Sequence, residues 1–266
     1  MKNILFLFLI LLVPFNIYGQ DSIVNYLDKE GKIIDKINAV EIETIVKKDS
    51  LWEVTKYYRN GKIKQIGHFK TKYKKIPIGE FLTFNRKGKI SRIIYYDFFG
   101  MKNGLSRSWF DNGNISSFEI YQNDKKEGKW KYYHYNGNEA CRLYYKNDSI
   151  LKTIIYDEKG IEIHANLIEF QEPSFKEGLD IFRKRLGQLH NNLDYQVVGK
   201  IYLSFIIDID GNITDVETSE KLPKELDRRI RIYLENIKGW DPAFHMNRRY
   251  PYNFELPLNF SVKFHD

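Results

Sequence analysis

Gly128-Lys-Trp-Lys-Tyr-Tyr-His-Tyr-Asn-Gly-Asn-Glu139 is one unit of a pattern that runs through the first half of the chain. Asn136-Gly137 supplies the left-handed backbone that a hairpin reversal needs, and the aromatic run before it favours extended backbone. The unit therefore predicts strand, tight turn, strand. Gly104-Leu-Ser-Arg-Ser-Trp-Phe-Asp-Asn-Gly-Asn-Ile115 repeats the same order. Aligned on glycine, Gly31, Gly61, Gly88, Gly113, Gly137 and Gly160 follow at intervals that shrink from 30 to 23 residues. An aromatic residue (Tyr57, Phe84, Trp109, Tyr133, Tyr156) stands four positions before each of the last five. Gly79, Gly104 and Gly128 mark the junctions between units. A single hairpin cannot bury its own aromatic face, so successive units are expected to stack into one long meandering antiparallel sheet over residues 20–166.

After Asn166 the period becomes helical. Phe175, Leu179, Phe182, Leu186 and Leu189 form one stripe, which predicts a helix of about fifteen residues beginning after Pro173-Ser174, with Ser174 as N-cap. The stripe is expected to cover the apolar side of the sheet that follows. In Lys200–Ile207 the period of two puts Ile201, Leu203, Phe205 and Ile207 on one face. Asp210-Gly211-Asn212 reads as a hairpin turn, so Ile213–Thr218 should pair antiparallel with that strand, with a bulge because Ile213 and Val216 are out of phase. Leu222, Leu226, Ile230, Tyr233 or Leu234, and Ile237 then recur at helical spacing opposite Arg228, Arg229 and Arg231, up to Gly239. The last stretch alternates. Tyr252, Phe254, Leu256, Leu258, Phe260, Val262 and Phe264 share one face, and Asn253, Glu255, Asn259, Ser261 and Lys263 the other. The fold class expected is mainly β with an α+β C-terminal domain over residues 167–266, a small three-stranded sheet with two helices.

The 266 residues, 42% of them hydrophobic, suffice for a packed core. With 42 Lys and Arg against 35 Asp and Glu the net charge is +7, which favours acidic surfaces such as anionic lipid. Both signs are interleaved, and no basic run is dense enough to argue for nucleic acid. Met1-Lys2-Asn3, the apolar run Ile4–Phe15 and the small residue Gly19 resemble a secretory signal peptide over residues 1–19, with cleavage expected after Gly19. That run is shorter than the ~20 residues of a membrane-spanning helix. The expected location is the periplasm or cell envelope, with membrane contact only if the segment is retained. Cys141, the one cysteine, is expected as a buried structural thiol.

The glycine, the Trp or Tyr and the Asn-Gly of each unit resemble MORN-type repeats, particularly the variant of the YwqK-like antitoxin family. The resemblance covers about half the chain, and its outermost units, around Gly31 and Gly160, are degraded as capping repeats are. Such repeats serve mostly as interaction or spacer scaffolds. With 19 Tyr and 18 Phe in the chain, the aromatics read either as a stacking platform for sugars, peptides or lipid headgroups or as the packing ladder of the sheet, and packing is the expectation.

Pro173-Ser-Phe-Lys-Glu-Gly-Leu, Gly199-Lys-Ile-Tyr-Leu-Ser-Phe-Ile-Ile-Asp-Ile-Asp-Gly-Asn-Ile213, Trp240-Asp-Pro-Ala243 and Leu256-Pro-Leu-Asn-Phe260 together resemble the TonB C-terminal domain family. The resemblance implies a last strand at a sheet edge that captures an extended peptide, the TonB box of an outer-membrane receptor. It places partner binding on Tyr250, Tyr252, Asn253, Phe254, Glu255, Leu256, Leu258, Asn259 and Phe260. Energy transducers of that family carry a retained membrane anchor and a long Pro-rich linker. This chain has seven prolines in all and Asp194-Tyr195-Gln196 where the family has Tyr-Pro, so peptide capture is implied more strongly than energy transduction. Pro257 lacks a donor and suits an edge strand. The other reading of the terminal domain is a fold or dimerisation unit, with a homodimer as partner.

The six histidines lack metal-ligand spacing, and Asp208-Ile-Asp-Gly-Asn212 reads as a hairpin turn, with Ser219 where a calcium loop needs glutamate. No nucleophile elbow, phosphate loop or dinucleotide fingerprint is present. The sequence therefore predicts a non-enzymatic protein with no metal and no cofactor.

Overall fold

The computed structural model describes residues 22–28, 30–36, 39, 41–58, 60–190, 199–218 and 222–260. Residues 1–19, which the sequence predicts as a signal peptide, residues 194–196, and Val262 and Phe264 of the terminal alternation lie outside the described residues. The first half is a single antiparallel sheet of thirteen strands. In chain order these are β1 (Ser22–Leu27), β2 (Glu41–Lys48), β3 (Leu51–Tyr57), β4 (Ile63–Phe69), β5 (Pro77–Phe84), β6 (Ile90–Tyr96), β7 (Gly104–Trp109), β8 (Ile115–Gln122), β9 (Lys125–Lys126), β10 (Gly128–Tyr133), β11 (Glu139–Lys146), β12 (Ser149–Tyr156) and β13 (Glu162–Ile163). Each pairs with its sequence neighbour, except that β10 pairs with β8 and the short β9 pairs with β8 alone.

The glycine closes each reversal from the last position of the turn, with Lys87, Asn112 or Asn136 as the central residue before it. Gly88, Gly113 and Gly137 donate their N–H to carbonyls three residues back, on Asn85, Phe110 and His134, at 2.8, 3.0 and 2.9 Å. Their φ values of 85, 94 and 93° require glycine there. The ladder resumes with a one-residue shift at Phe84, Trp109 and Tyr133, the bulge that accompanies such a turn. The asparagines also sew units together. Asn112 and Asn114 donate to the Tyr135 carbonyl at 3.0 and 2.9 Å, and Asn136 and Asn138 to that of Glu158 at 2.7 and 2.8 Å.

Much of the aromatic content of this sheet is packing. Trp130, Tyr132, Cys141, Leu143, Tyr145 and Ile155 form one buried cluster. Trp130 meets Tyr121 and Tyr145 at ring distances of 5.0 and 4.9 Å and donates its indole N–H to the Ile120 carbonyl. Burial pushes the Cys141 thiol up to about 12.

The second half builds on short strands: β14 (Phe170–Gln171), β15 (Ser174–Phe175), then α1 (Leu179–Gly187), β16 (Gly199–Ile207), β17 (Ile213–Thr218), α2 (Lys224–Asn236), β18 (Trp240–Asp241), β19 (Ala243–His245), β20 (Arg248–Tyr250) and β21 (Tyr252–Phe260). β16 lies between β17 and β21, antiparallel to both. The expected bulge falls in β17, where Asp215 has φ 50°. Leu203, Phe205, Ile207, Leu226, Ile230 and Leu234 are fully buried between this sheet and the helices. Burial stabilises each such side chain by roughly 1.5–3 kcal/mol.

Two features differ from the sequence expectation. The first helix has nine residues, not about fifteen, and Ser174 is not its N-cap. Ser174–Phe175 instead pairs with Trp240–Asp241, and Gly178, at φ 90°, turns the chain into the helix. Pro173 favours extended backbone before it, and Phe175 reaches the core from the strand, 5.3 Å from both Trp240 and Phe182. The second difference is a hairpin between α2 and β21. Met246 and Asn247, at φ 52 and 58°, join β19 to β20, and β14 completes a three-stranded sheet. This small sheet lies against the repeat sheet, with Met246 in the Trp130 cluster.

Candidate functional site

The residues expected to bind a partner divide into four groups. Tyr252, Phe254 and Leu256 project into the core side of β21. Phe254 stacks on Phe205 at 5.4 Å and meets Trp240 at 5.0 Å, and Leu256 is buried. Asn253 and Glu255 occupy the other face with Ser204 and Ile206. Leu258, Asn259 and Phe260 pair through their backbone with Ile201, Lys200 and Gly199. Tyr250 is not on this strand at all. It belongs to β20, its ring 6.0 Å from Phe110 of the repeat sheet and 5.4 Å from His245.

β21 lies at the edge of its sheet, and among the described residues no strand pairs with its outer side. The register with β16 runs unbroken through Tyr202 and Pro257. Proline has no N–H for that ladder, so its nitrogen faces outward, and the alternation turns the backbone groups of Asn253, Glu255 and Asn259 outward too. The free edge thus offers three donors and four acceptors in a row.

Arg86 and Arg248, which no sequence pattern singled out, join this module to the repeat sheet. Arg86 sits in the β5–β6 turn, held there by Asn85, whose side-chain oxygen accepts the Lys87 and Lys89 N–H groups at 3.0 Å each. Its guanidinium donates to the Asp215 carbonyl at 2.9 Å, to Asn253 at 2.6 Å and to the Ser204 hydroxyl, and pairs with Glu217 at 3.1 Å. Asn60 adds a bond to Glu217 at 2.8 Å. Asn253 is therefore committed to the repeat sheet.

Arg248 is deeper, with 2% of its surface exposed. It donates to the Ser116 carbonyl, to the Tyr133 carbonyl at 3.0 Å and to the Ser116 hydroxyl at 3.1 Å. The guanidinium carbon lies 5.0 Å from the Tyr132 ring centre and 5.4 Å from that of Phe110. Burial pulls its pKa down to about 10, which leaves it charged at neutral pH. Beside it, burial first and the Arg248 charge second depress His245 to about 4. Neither arginine follows from periodicity or motif, because the groups that accept their hydrogen bonds lie more than a hundred residues away.

Cavities lie along this junction. One of about 210 Å³ runs between Tyr58, Arg86, Asn253 and Glu255. A second, of about 330 Å³, is lined by Trp109, Tyr135 and Tyr250 and by the carboxylate residues Asp111, Asp210 and Asp215. Burial works against ionisation of Asp111, but hydrogen bonds from Tyr135 and Lys87 outweigh it and hold the carboxyl below its usual range. Tyr135 is pushed up to about 12 by burial and by that same bond. A third, of about 220 Å³, lies between Arg92, Glu119, His245 and Arg248.

No curated protein matches the chain. A family model described as a MORN repeat variant matches residues 53–71, which run from within β3 through the turn at Gly61 to two residues past the end of β4, so this hairpin of the sheet is similar to a MORN repeat.

Proposed function

We propose that this is an exported, non-enzymatic protein of the cell envelope, in which the repeat sheet carries a TonB-like C-terminal module that binds an extended peptide of an outer-membrane protein by strand addition to β21. The observation that carries the proposal is the free outer edge of β21, a nine-residue strand. Main-chain pairing along such an edge gives affinity with little demand on sequence. The contacts of Arg86 with Asn253 and Ser204 hold the strand from its polar face and leave that edge open. Titration of the full chain with a labelled TonB-box peptide tests the proposal, together with Glu255→Pro, which deletes one outward donor and spares the β16 ladder. Binding in the micromolar range, weakened about tenfold by Glu255→Pro, is expected from the loss of one strand bond. No binding of the parent chain at high micromolar peptide would overturn it.

A separate observation favours a second reading, contact with envelope lipid. At the strand ends opposite the Arg86 turn, Tyr73, Phe98 and Phe99 are 71%, 66% and 75% exposed. Lys70 lies over the Phe98 ring and Lys72 beside Tyr73. Apolar tips ringed by lysines suit an anionic bilayer surface. Sedimentation with phosphatidylglycerol liposomes, lost in a Phe98→Ser, Phe99→Ser variant, is the result this reading requires.

A further inference from the structure

The cavity between Arg92 and Arg248 contains more positive charge than its walls neutralise. Arg92 pairs with Glu119 at 2.8 Å, and the second Glu119 oxygen accepts the Ser117 hydroxyl at 3.2 Å. That pair cancels. Arg248 donates to carbonyls and a hydroxyl and lies against ring faces; Glu119 attracts it from a distance, but among the described residues no carboxylate forms a salt bridge with it. A guanidinium cannot shed its proton to escape burial. Of the four buried side-chain nitrogens that lack a partner among the described residues, three belong here: Nε of Arg92, Nε of Arg248 and Nδ1 of His245. All three residues line this one cavity. Unsatisfied buried donors are rare, and each calls for a ligand, an ion or water. Water fits the space and satisfies donors, but it supplies no countercharge.

We infer that this cavity is a binding site for a small monoanionic carboxylate, received between the Arg92 and Arg248 guanidinium groups, with the Nδ1–H tautomer of His245 as a further donor. A planar carboxylate offers two acceptor oxygens to guanidinium N–H groups and brings the single negative charge the cavity lacks. A dianion fits worse, because Glu119 already stands in the wall and only one cation is uncompensated. The volume of about 220 Å³ holds an acetate-sized group with a few waters. The site stands apart from the β21 edge and uses none of its backbone.

Calorimetric titration of the full chain with sodium acetate, in a buffer free of other small acids, tests the inference, with acetamide and sulfate as comparison ligands. Acetate should bind, acetamide should not, and sulfate should bind more weakly than acetate. Glu119→Gln removes the competing charge while keeping an acceptor for Arg92, and should tighten acetate by about tenfold, whereas Arg92→Gln should weaken it by a similar factor. Both substitutions spare Arg248, and circular dichroism checks that they fold. A dipeptide with a free C-terminus, compared with its amide, separates the sources of the group: selective binding of the free form assigns peptide termini, and binding of acetate alone assigns free acids. Failure of acetate to bind by ~50 mM, or an unchanged affinity in Glu119→Gln, would show a cavity filled by water and overturn the inference.

Discussion

Removing Arg248 is the most direct way to ask what holds the terminal module on the repeat sheet. Its guanidinium makes three hydrogen bonds into the sheet, to two carbonyls and one hydroxyl. Bonds from a charged donor contribute about 1.5 kcal/mol each at the low end. Ring contacts with Tyr132 and Phe110 add roughly 0.5–1 kcal/mol. Truncation to alanine deletes these and leaves the Ser116 and Tyr133 carbonyls buried without this donor. Relief of the guanidinium's desolvation returns part of the loss. The expected destabilisation is therefore about 3–4 kcal/mol for Arg248→Ala. Arg248→Met keeps the apolar stem packed between the rings and should lose about 2 kcal/mol. Urea denaturation followed by far-ultraviolet circular dichroism measures both values. Limited proteolysis across residues 164–169 should show faster cleavage in the variants, because the strand that follows pairs with the hairpin carrying Arg248. Two variants within about 0.5 kcal/mol of the parent, the range of ordinary surface substitutions, would refute the view that this side chain pins the junction.

His245 has a folded pKa of about 4 against an ordinary 6.5. The unfolded chain takes up the proton first, so the associated stability is full above pH 6.5 and is lost as pH falls from 6.5 through 4. The gap corresponds to about 3 kcal/mol, reduced to about 2 by partial exposure. His245→Gln should flatten the parent's stability loss across that window, and parallel pH profiles would argue against it. Gly211 and Gly61 share φ +79°, but a Cβ on Gly211 would lie 2.2 Å from the Trp240 carbonyl oxygen, whereas one on Gly61 meets nothing within 4 Å. Gly211→Ala should cost about 3 kcal/mol and Gly61→Ala about 1 in the same urea assay. Cys141, buried and with a thiol pushed up to about 12, should resist iodoacetamide at pH 8 until the protein unfolds, so labelling should track the urea transition.

The meander, the terminal three-stranded sheet and α2 were legible because each rests on short-range chemistry. Alternation buries one face of a strand, and a glycine every two dozen residues reverses the chain. The length of α1 was not legible, since Phe175 lies in helical phase with Phe182 and Leu186 yet reaches the same core from a strand. Its stripe reflected a shared destination rather than a shared helix. The β19–β20 hairpin escaped notice because Met246-Asn247 is an unusual pair for two left-handed residues, tolerated here where Met246 packs against the sheet. The edge position of β21 could be anticipated from Pro257, whereas the commitment of Asn253 to Arg86 could not.

Residue order alone was enough to specify where this chain turns and which residues alternate, because hairpin geometry depends on a few neighbouring φ values and side chains. How the two halves meet was settled by contacts that span more than a hundred residues: Arg86 with Ser204 and Asn253, and Arg248 with Ser116 and Tyr133. A buried guanidinium is stable only where several acceptors converge. That convergence is a property of the folded surfaces, and no local stretch of the chain carries it.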